Sequence, residues 1–387
     1  RSYSVTGVQT CALPIYHTVN WEFQCSSGRN SGFWSTIPVP SCWELQGFGT
    51  YNYGRDRQAG NEVGLYRHRF MVPLSWKRRH VDLVFEGVMT DTRVMVNGRL
   101  AGAVHCGGFY RFSYAVDSLL HFGRENLLEV RVAKQSDNAS VNRAERQADY
   151  WIFGGIFRPV YLLIRPEEYI DRCAIAAAGD GTLTIDVFPG NITTTRTITA
   201  RLYTPQGRMV GAPIKTTLIP GTAKATLQTL IQNIKRWSAE TPYLYDVTVE
   251  LASHKLLHRV REKIGFRTLA VKPGDGIYLN DRKILLKGVN RHCFWPETGR
   301  TLSRDISLQD ALLIKEMNMN SVRMSHYPPD SHFLDICDSL GLYVLDELAG
   351  WQAAYDTDIG RTLVKELVTR DVNHPSVLFW DNGNEGG

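Results

Sequence analysis

Arg370-Asp371-Val372-Asn373-His374-Pro375-Ser376-Val377-Leu378-Phe379-Trp380-Asp381-Asn382-Gly383-Asn384-Glu385 is the stretch from which the rest of the chain can be read. Val377 to Trp380 is a short run of β-branched and aromatic residues and reads as a buried strand, closed by a glycine and the polar pair Asn384-Glu385. Such a strand presents Asn384 and Glu385 at its C-terminal end. In a barrel of alternating strands and helices that end is the catalytic face, because the loops there converge on one pocket while the opposite face only stabilises.

Working backwards from this strand, the period alternates between strand and helix. Ile284 to Val289 reads as a strand, and a helix follows with Ser307 as N-cap and Asp310 three residues on, a variant of the capping box that satisfies free amide groups. Ser321 to Met324 is a second strand. In the next helix Phe333, Ile336, Cys337 and Leu340 fall at i, i+3, i+4 and i+7, one apolar stripe, and Gly341 supplies the stop. Leu342 to Leu345 is the third strand, Leu363, Val364, Leu367 and Val368 mark the face of a third helix, and Val377 to Trp380 is the fourth strand. Residues 273–387 therefore read as the first half of a (β/α)8 TIM barrel, which closes with eight units.

Further upstream the signals are those of strands. Over 16–166, Tyr66 to Val72, His80 to Glu86, Arg93 to Val96 and Leu127 to Val132 are short runs bounded by turns, and no helical period interrupts them. Asn97-Gly98 sits between two such runs, as a two-residue hairpin needing positive φ at both positions requires. Many short strands with Gly-rich turns imply a sandwich or jelly roll. Residues 167–272 repeat the logic: Val247, Val249 and Leu251 share one face of a strand and Thr248 and Glu250 the other, the pattern of an immunoglobulin-like sandwich acting as a spacer.

The run from Asn373-His374-Pro375-Ser376 through Trp380 to Asn384-Glu385 resembles the acid/base signature of glycoside hydrolase family 2. A small residue usually follows that Trp in the family, and Asp381-Asn382 stand there in this chain. Asn320 to Pro328, with Asp338 and Gly341-Leu342-Tyr343-Val344, is similar to the family's other signature. Gly288-Val289-Asn290-Arg291-His292, Trp237 to Pro242, Pro40 to Glu44 and Gly154 to Val160 look like further landmarks. The resemblance covers about Tyr16 to Gly387 and implies a sugar-binding-like jelly roll, an immunoglobulin-like sandwich and a barrel, in that order.

Glycoside hydrolysis needs a proton delivered to the leaving oxygen and a second carboxylate across the sugar, about 5–5.5 Å away in retaining enzymes. Glu385 matches the acid/base, against the plain alternative of a surface glutamate. Asn384 matches a residue that hydrogen-bonds a sugar hydroxyl, against a turn-forming Asn. Arg323, near the end of the second strand, is placed to hold a catalytic carboxylate ionised and oriented. His326 resembles the histidine that family members point at the sugar, although a lone His is more often structural. Arg291 and His292 stand between lining the pocket and bracing the barrel rim, with bracing the favoured reading. Asp346-Glu347 stand between binding sugar hydroxyls and staying solvated, and Trp351 between a stacking face and a packing plug. In β-galactosidases of the family an Asp shortly before the Gly-Ile-Phe-Arg landmark reaches from the jelly roll into the active site. Asp149-Tyr150-Trp151 matches that place, with a loop aspartate as the alternative.

Composition narrows the field. A net charge of +5 over 387 residues, with Lys77-Arg78-Arg79 as the densest basic run, gives no nucleic-acid footprint. Seven cysteines without CxxC pairs speak against a zinc site and a disulfide scaffold. No segment reaches the roughly 18 apolar residues of a membrane span. Residues 1–15 resemble a translated sequencing-adapter segment and are set aside as a non-native leader, which leaves the compartment open.

Together these expectations describe a retaining exo-glycosidase acting on terminal β-D-galactosides, with Glu385 as acid/base and a nucleophilic glutamate outside these residues. β-Glucuronidase and β-mannosidase specificities are the alternatives within the family, and a non-catalytic carbohydrate-binding protein the alternative outside it. The partner is a glycoside or oligosaccharide, with no nucleic acid and no membrane; oligomeric state is open. No cofactor is required. Some galactosidases of the family hold a divalent cation, Mg2+, beside the acid/base, and the sequence offers no identifiable ligand set for one.

Overall fold

A computed structural model describes residues 18–385. Its first block is two facing sheets. One has six strands in the order Ser35–Val39, Val19–Cys25, Val63–Val72, Arg124–Ala133, Asp91–Val96, Arg99–Leu100; the other pairs Val160–Arg165, His80–Phe85 and Phe112–Ala115. Alternation along the strands sends Trp21, Phe23, Val81, Leu83, Phe85, Val94 and Val130 into a common core. The Asn97-Gly98 turn has φ of 52° and 75°, and the Asn97 side chain stitches it to the next strand by accepting from the Leu127 amide at 2.9 Å.

Helical turns do interrupt this domain, contrary to expectation: Trp43–Gln46, Leu74–Trp76 and the pair Ala139–Val141 and Asn142–Arg146. They are too short to show a 3.6-residue period. The last pair starts at Asn138, whose side chain accepts from the Ser140 and Val141 amides, and it leads into the loop carrying Asp149 and Tyr150.

The second block is also a sandwich. Tyr169–Ala177, Thr182–Gly190 and Ala225–Leu230 face Met209–Leu218, Arg196–Tyr203, Tyr245–Ala252 and Leu256–Ile264. Val247, Val249 and Leu251 point inward as read, but Thr248 on the outer face is buried too. Its cross-strand partners are Arg201 and Arg261, long enough to cover a small hydroxyl.

In the third block Arg282–Ile284 closes a small antiparallel sheet with Leu269–Lys272 and Gly276–Leu279, through a turn at Asn280 and Asp281 with φ of 51° and 68°. The expected strand over Ile284 to Val289 is therefore two pieces, and the first barrel strand is Gly288–Arg291. The break ends at Lys287-Gly288, the one polar and glycine step in the run Ile284 to Val289. Ser321–Met324, Tyr343–Glu347 and Val377–Asp381 follow in parallel, neighbour beside neighbour. The connecting helices are Arg304–Glu316, Ser331–Leu340 and Thr357–Asp371.

The first of these helices is capped by Ser303, not Ser307: Ser303 has extended backbone and its hydroxyl accepts from the Ile306 amide, while Ser307 is buried within the helix. In the second, Phe333, Ile336 and Cys337 are buried and Gly341, at φ 75°, ends it. In the third, Leu363 and Leu367 face inward and Val364 is exposed.

Both sandwiches grip the barrel. Trp237 donates its indole N–H to the Asp338 carbonyl at 2.9 Å, and Asn373 bonds the backbone of both Cys173 and Ile175. From the jelly roll, Arg158 donates to the carbonyls of Phe109 and Pro328 and pairs with Asp330 at 3.0 Å, all in the interior. A second apolar core is shared across this contact, Phe109 and Phe157 packing with Tyr327 and Phe333.

Candidate active site

Arg323 stands at the end of the second barrel strand, where the parallel register places Glu347 and Asp381 side by side on the third and fourth. One guanidinium ties all three strand ends. Its Nη2 meets Glu347 Oε2 at 2.7 Å and donates to Asn384 Oδ1 at 3.2 Å, while Nε donates to Asp381 Oδ2 at 3.2 Å. The planar fork makes this possible; a lysine has no such spread of donors. Asp381, standing where the family has a small residue, thereby acquires a partner.

Glu347 is fully buried, and its other oxygen meets His326 Nδ1 at 2.9 Å. Burial pushes its carboxyl above the ordinary range, and His326 and Arg323 offset only part of that. The solvated alternative for Asp346-Glu347 is thus overturned, and the two residues face opposite ways. Asp346 is also fully buried but neighbours Asp371, which Arg370 holds ionised through bonds of 2.7 and 2.6 Å. Burial and the Asp371 charge push Asp346 well above the ordinary carboxylate range.

His326 lies edge-on to Trp351, ring centroids 4.8 Å apart, and 5.3 Å from His292. His292 bonds the Tyr327 hydroxyl at 3.2 Å; desolvation, with the guanidiniums of Arg300 and Arg323 nearby, pushes it down to about 4, so it stays neutral. Arg291 braces the rim as read, paired with Asp310 at 2.8 Å and lying over the Phe333 ring. Trp351 is half-buried between His326 and Tyr150, a wall of the site.

The loop after the third strand clamps the end of the fourth. Asn384 donates its amide to Gly350 at 3.0 Å and accepts from the Gln352 amide at 2.8 Å, so its side chain is held against Arg323. Glu385 follows, exposed, with φ of 50°; Gln352 Nε2 donates to its Oε2 at 2.6 Å. Gln352 Oε1 in turn accepts from Arg55 of the jelly roll at 3.3 Å.

Of the five residues predicted for the site, Arg323, His326 and Asn384 meet around Glu347 and Glu385 joins through Gln352. Asp149 is exposed and takes the Tyr53 hydroxyl at 2.7 Å; its neighbour Tyr150 makes the contact with the barrel, edge-on to His292, Tyr327 and Trp351. Gln352 and Arg55 were missed. Nothing in their local sequence marks them, because the hydrogen bond joining them spans 297 positions.

A divalent cation finds no fit at this end, since both Glu347 oxygens face Arg323 and His326. Among the described residues, Asp335, Asp338 and His374 bring ligand-type atoms within 4.8 Å of one another, but at the opposite end of the sheet. Burial there opposes a charge on His374, yet Asp338, Asp371 and Asp335 outweigh it and push the imidazole up to about 9. A metal at this group would have to displace that proton.

Two β-sandwiches thus stand ahead of parallel barrel strands that carry carboxylates and an arginine at their C-terminal ends. Family models agree along the chain: the sugar binding domain of glycosyl hydrolases family 2 matches 29–166, glycosyl hydrolases family 2 itself 169–267, and that family's TIM barrel domain 269–387. The chain belongs to glycoside hydrolase family 2. A β-galactosidase of Psychromonas ingrahamii is 30% identical over 96% of this chain, which spans 38% of that protein's length. A family 2 member from Bacteroides cellulosilyticus superimposes with a TM-score of 0.78 at 25% identity, covering 95% of this chain and 52% of its own. A β-glucuronidase of Bacteroides uniformis does so with a TM-score of 0.80 at 25% identity, over 94% of this chain and 46% of its own.

Proposed function

We propose that the protein is a retaining exo-glycosidase that releases terminal β-D-galactose, with Glu385 as its acid/base. The observation that carries this is the Arg323 constellation, which fixes Asn384, and with it the backbone leading into Glu385, at the C-terminal ends of three parallel strands. With its oxygen taken by Arg323, Asn384 has its NH2 left to serve as a donor to the sugar hydroxyl beside the reacting carbon. Glu385 first gives its proton to the glycosidic oxygen as the C–O bond breaks, then takes one from the water that releases the sugar. Gln352 donates to the carboxylate left behind.

Glu347 is buried with its oxygens on Arg323 and His326, and Asp381 takes the Arg323 Nε, so both are read as holding the arginine and Asn384 in place. The nucleophile in this mechanism is a glutamate outside the 387 residues, and these residues by themselves are expected to be inactive. No step uses a metal. Galactose as the sugar is supported by relatives named β-galactosidase in Psychromonas ingrahamii and Priestia megaterium. The likeness to the Bacteroides uniformis β-glucuronidase favours the second reading, a glucuronide.

The test is to assay the full-length protein on aryl β-galactoside, β-glucuronide and β-mannoside. Highest kcat/KM on the galactoside is expected. Highest turnover of the glucuronide would overturn the sugar, and turnover of none would leave a carbohydrate-binding protein.

A further inference from the structure

Clustered aromatic rings facing water call for a reason. Tyr51 and Trp151 are 39% and 40% exposed, with centroids 4.7 Å apart at 30°. Tyr53 meets Trp151 edge-on at 5.3 Å. The three stand on one ribbon in which Asn52–Tyr53 pairs with Trp151–Ile152, Tyr53 directly opposite Trp151. Beneath, Tyr51 packs on buried Phe153, which stacks at 6.3 Å with Phe294 of the barrel. The rings are therefore held in place and not left to swing.

Polar groups border this surface. Asp149 accepts from the Tyr53 hydroxyl, and Arg55, two residues past Tyr53, donates to Gln352, whose amide reaches Glu385. Two hydrogen bonds thus lead from the edge of the aromatic surface to the acid/base. A general acid sits at the glycosidic oxygen, so a surface adjoining it outside the strand ends meets the leaving group and not the terminal sugar. A pyranose has an apolar C–H face, which an aromatic ring takes, and hydroxyls around its edge, which a carboxylate and a guanidinium take.

Building on the glycosidase reading above, we propose that Tyr51 and Trp151 form a leaving-group subsite that binds a second pyranose ring, with Asp149 and Arg55 as its polar edge. The natural substrate is then an oligosaccharide and not a glycoside of a small alcohol.

The experiment uses the full-length protein and two substrates sharing whichever terminal sugar it cleaves: a β-linked disaccharide and the methyl β-glycoside. Trp151→Ala and Tyr51→Leu should lower kcat/KM on the disaccharide about three- to ten-fold and on the methyl glycoside by less than about two-fold. Trp151→Phe should recover most of the loss. Trp34→Ala, removing an exposed aromatic elsewhere on the same domain under Arg67, should leave both unchanged. An aryl glycoside separates ring shape from hydroxyl recognition: loss equal to the disaccharide's overturns the pyranose. Equal loss on disaccharide and methyl glycoside, or loss on neither, overturns the subsite. If Trp151→Ala melts early, Tyr51→Leu carries the comparison. Should the wild-type protein cleave nothing, the glycosidase reading fails instead, and equal calorimetric affinity of wild type and Trp151→Ala for the disaccharide then overturns the subsite.

Discussion

The two ends of the four-stranded parallel sheet are built from the same kinds of residue and do opposite things. At the C-terminal end a partly exposed Arg323 gathers Glu347, Asp381 and Asn384, and Glu385 lies exposed beyond them. At the N-terminal end His374 meets Asp338 at 2.6 Å, Asp338 accepts from the Ser376 amide at 3.0 Å, and the second sandwich covers the group through Trp237 and Asn373. One strand, Val377–Asp381, joins the two, five residues or about 16 Å long. The signature stretch that ends in Glu385 is therefore two devices: Asn373 to Ser376 lock the strand to the sandwich, and Asp381 to Glu385 present chemistry. Charge at the closed end is paired inside the frame; charge at the open end is, on the function proposed above, what meets a substrate.

The sharpest way to break this division is at the open end. Glu385→Gln keeps shape but removes the transferable proton, so turnover of a disaccharide by the full-length protein should fall about 10²–10⁴-fold. An activated aryl glycoside, whose leaving group needs no proton, should lose far less in its first step. Stability should stay within about 0.5 kcal/mol, because the side chain is exposed. Equal loss on both substrates would remove the acid/base role.

The closed end should answer in stability. His374 rises to about 9 in the folded protein, against about 6.5 unfolded. A raised imidazole stabilises fully below the unfolded value and loses that contribution as pH rises through the folded one. The melting temperature should fall between pH 6.5 and 9, a contribution of about 3 kcal/mol. His374→Gln should melt lower at pH 6 and lose most of that slope, while kcat per folded molecule stays close to wild type. An unchanged slope would show that the imidazolium does not hold the frame.

How far this division can be read from sequence differs by residue. Phe333, Ile336, Cys337 and Gly341 announce their helix because its buried face repeats every turn. Arg323, His326 and Asn384 are placed by their position at strand ends, and the parallel register brings them together. Most of what escaped depends on partners far along the chain. Ser303 caps its helix where Ser307 was expected, since backbone geometry alone decides between two serines. Glu347 is buried because a histidine and an arginine from another strand and loop cover it. Gln352 is assigned by a glutamate 33 residues away and an arginine in another domain. Asn373 and His374 sit in a recognised signature, yet nothing local tells that they face the sandwich and not the sugar.

The smallest effect is expected at Asp149, which tests whether the jelly roll belongs to the open end at all. Its carboxylate accepts from Tyr53 at 2.7 Å, and its neighbour Tyr150 packs against His292, Tyr327 and Trp351. The bond is exposed, so Asp149→Ala should change stability by no more than about 0.5 kcal/mol. If the carboxylate also reaches the sugar, KM for a β-galactoside should rise a few-fold, and less for a glucuronide or mannoside if galactose is the sugar recognised. Tyr53→Phe separates the two partners: it frees the carboxylate from the phenol while leaving it in place, so galactoside KM should stay near wild type. A matching rise in Tyr53→Phe would mean that Asp149 acts only by holding the ribbon, and a drop in melting temperature without a change in KM would return it to the frame.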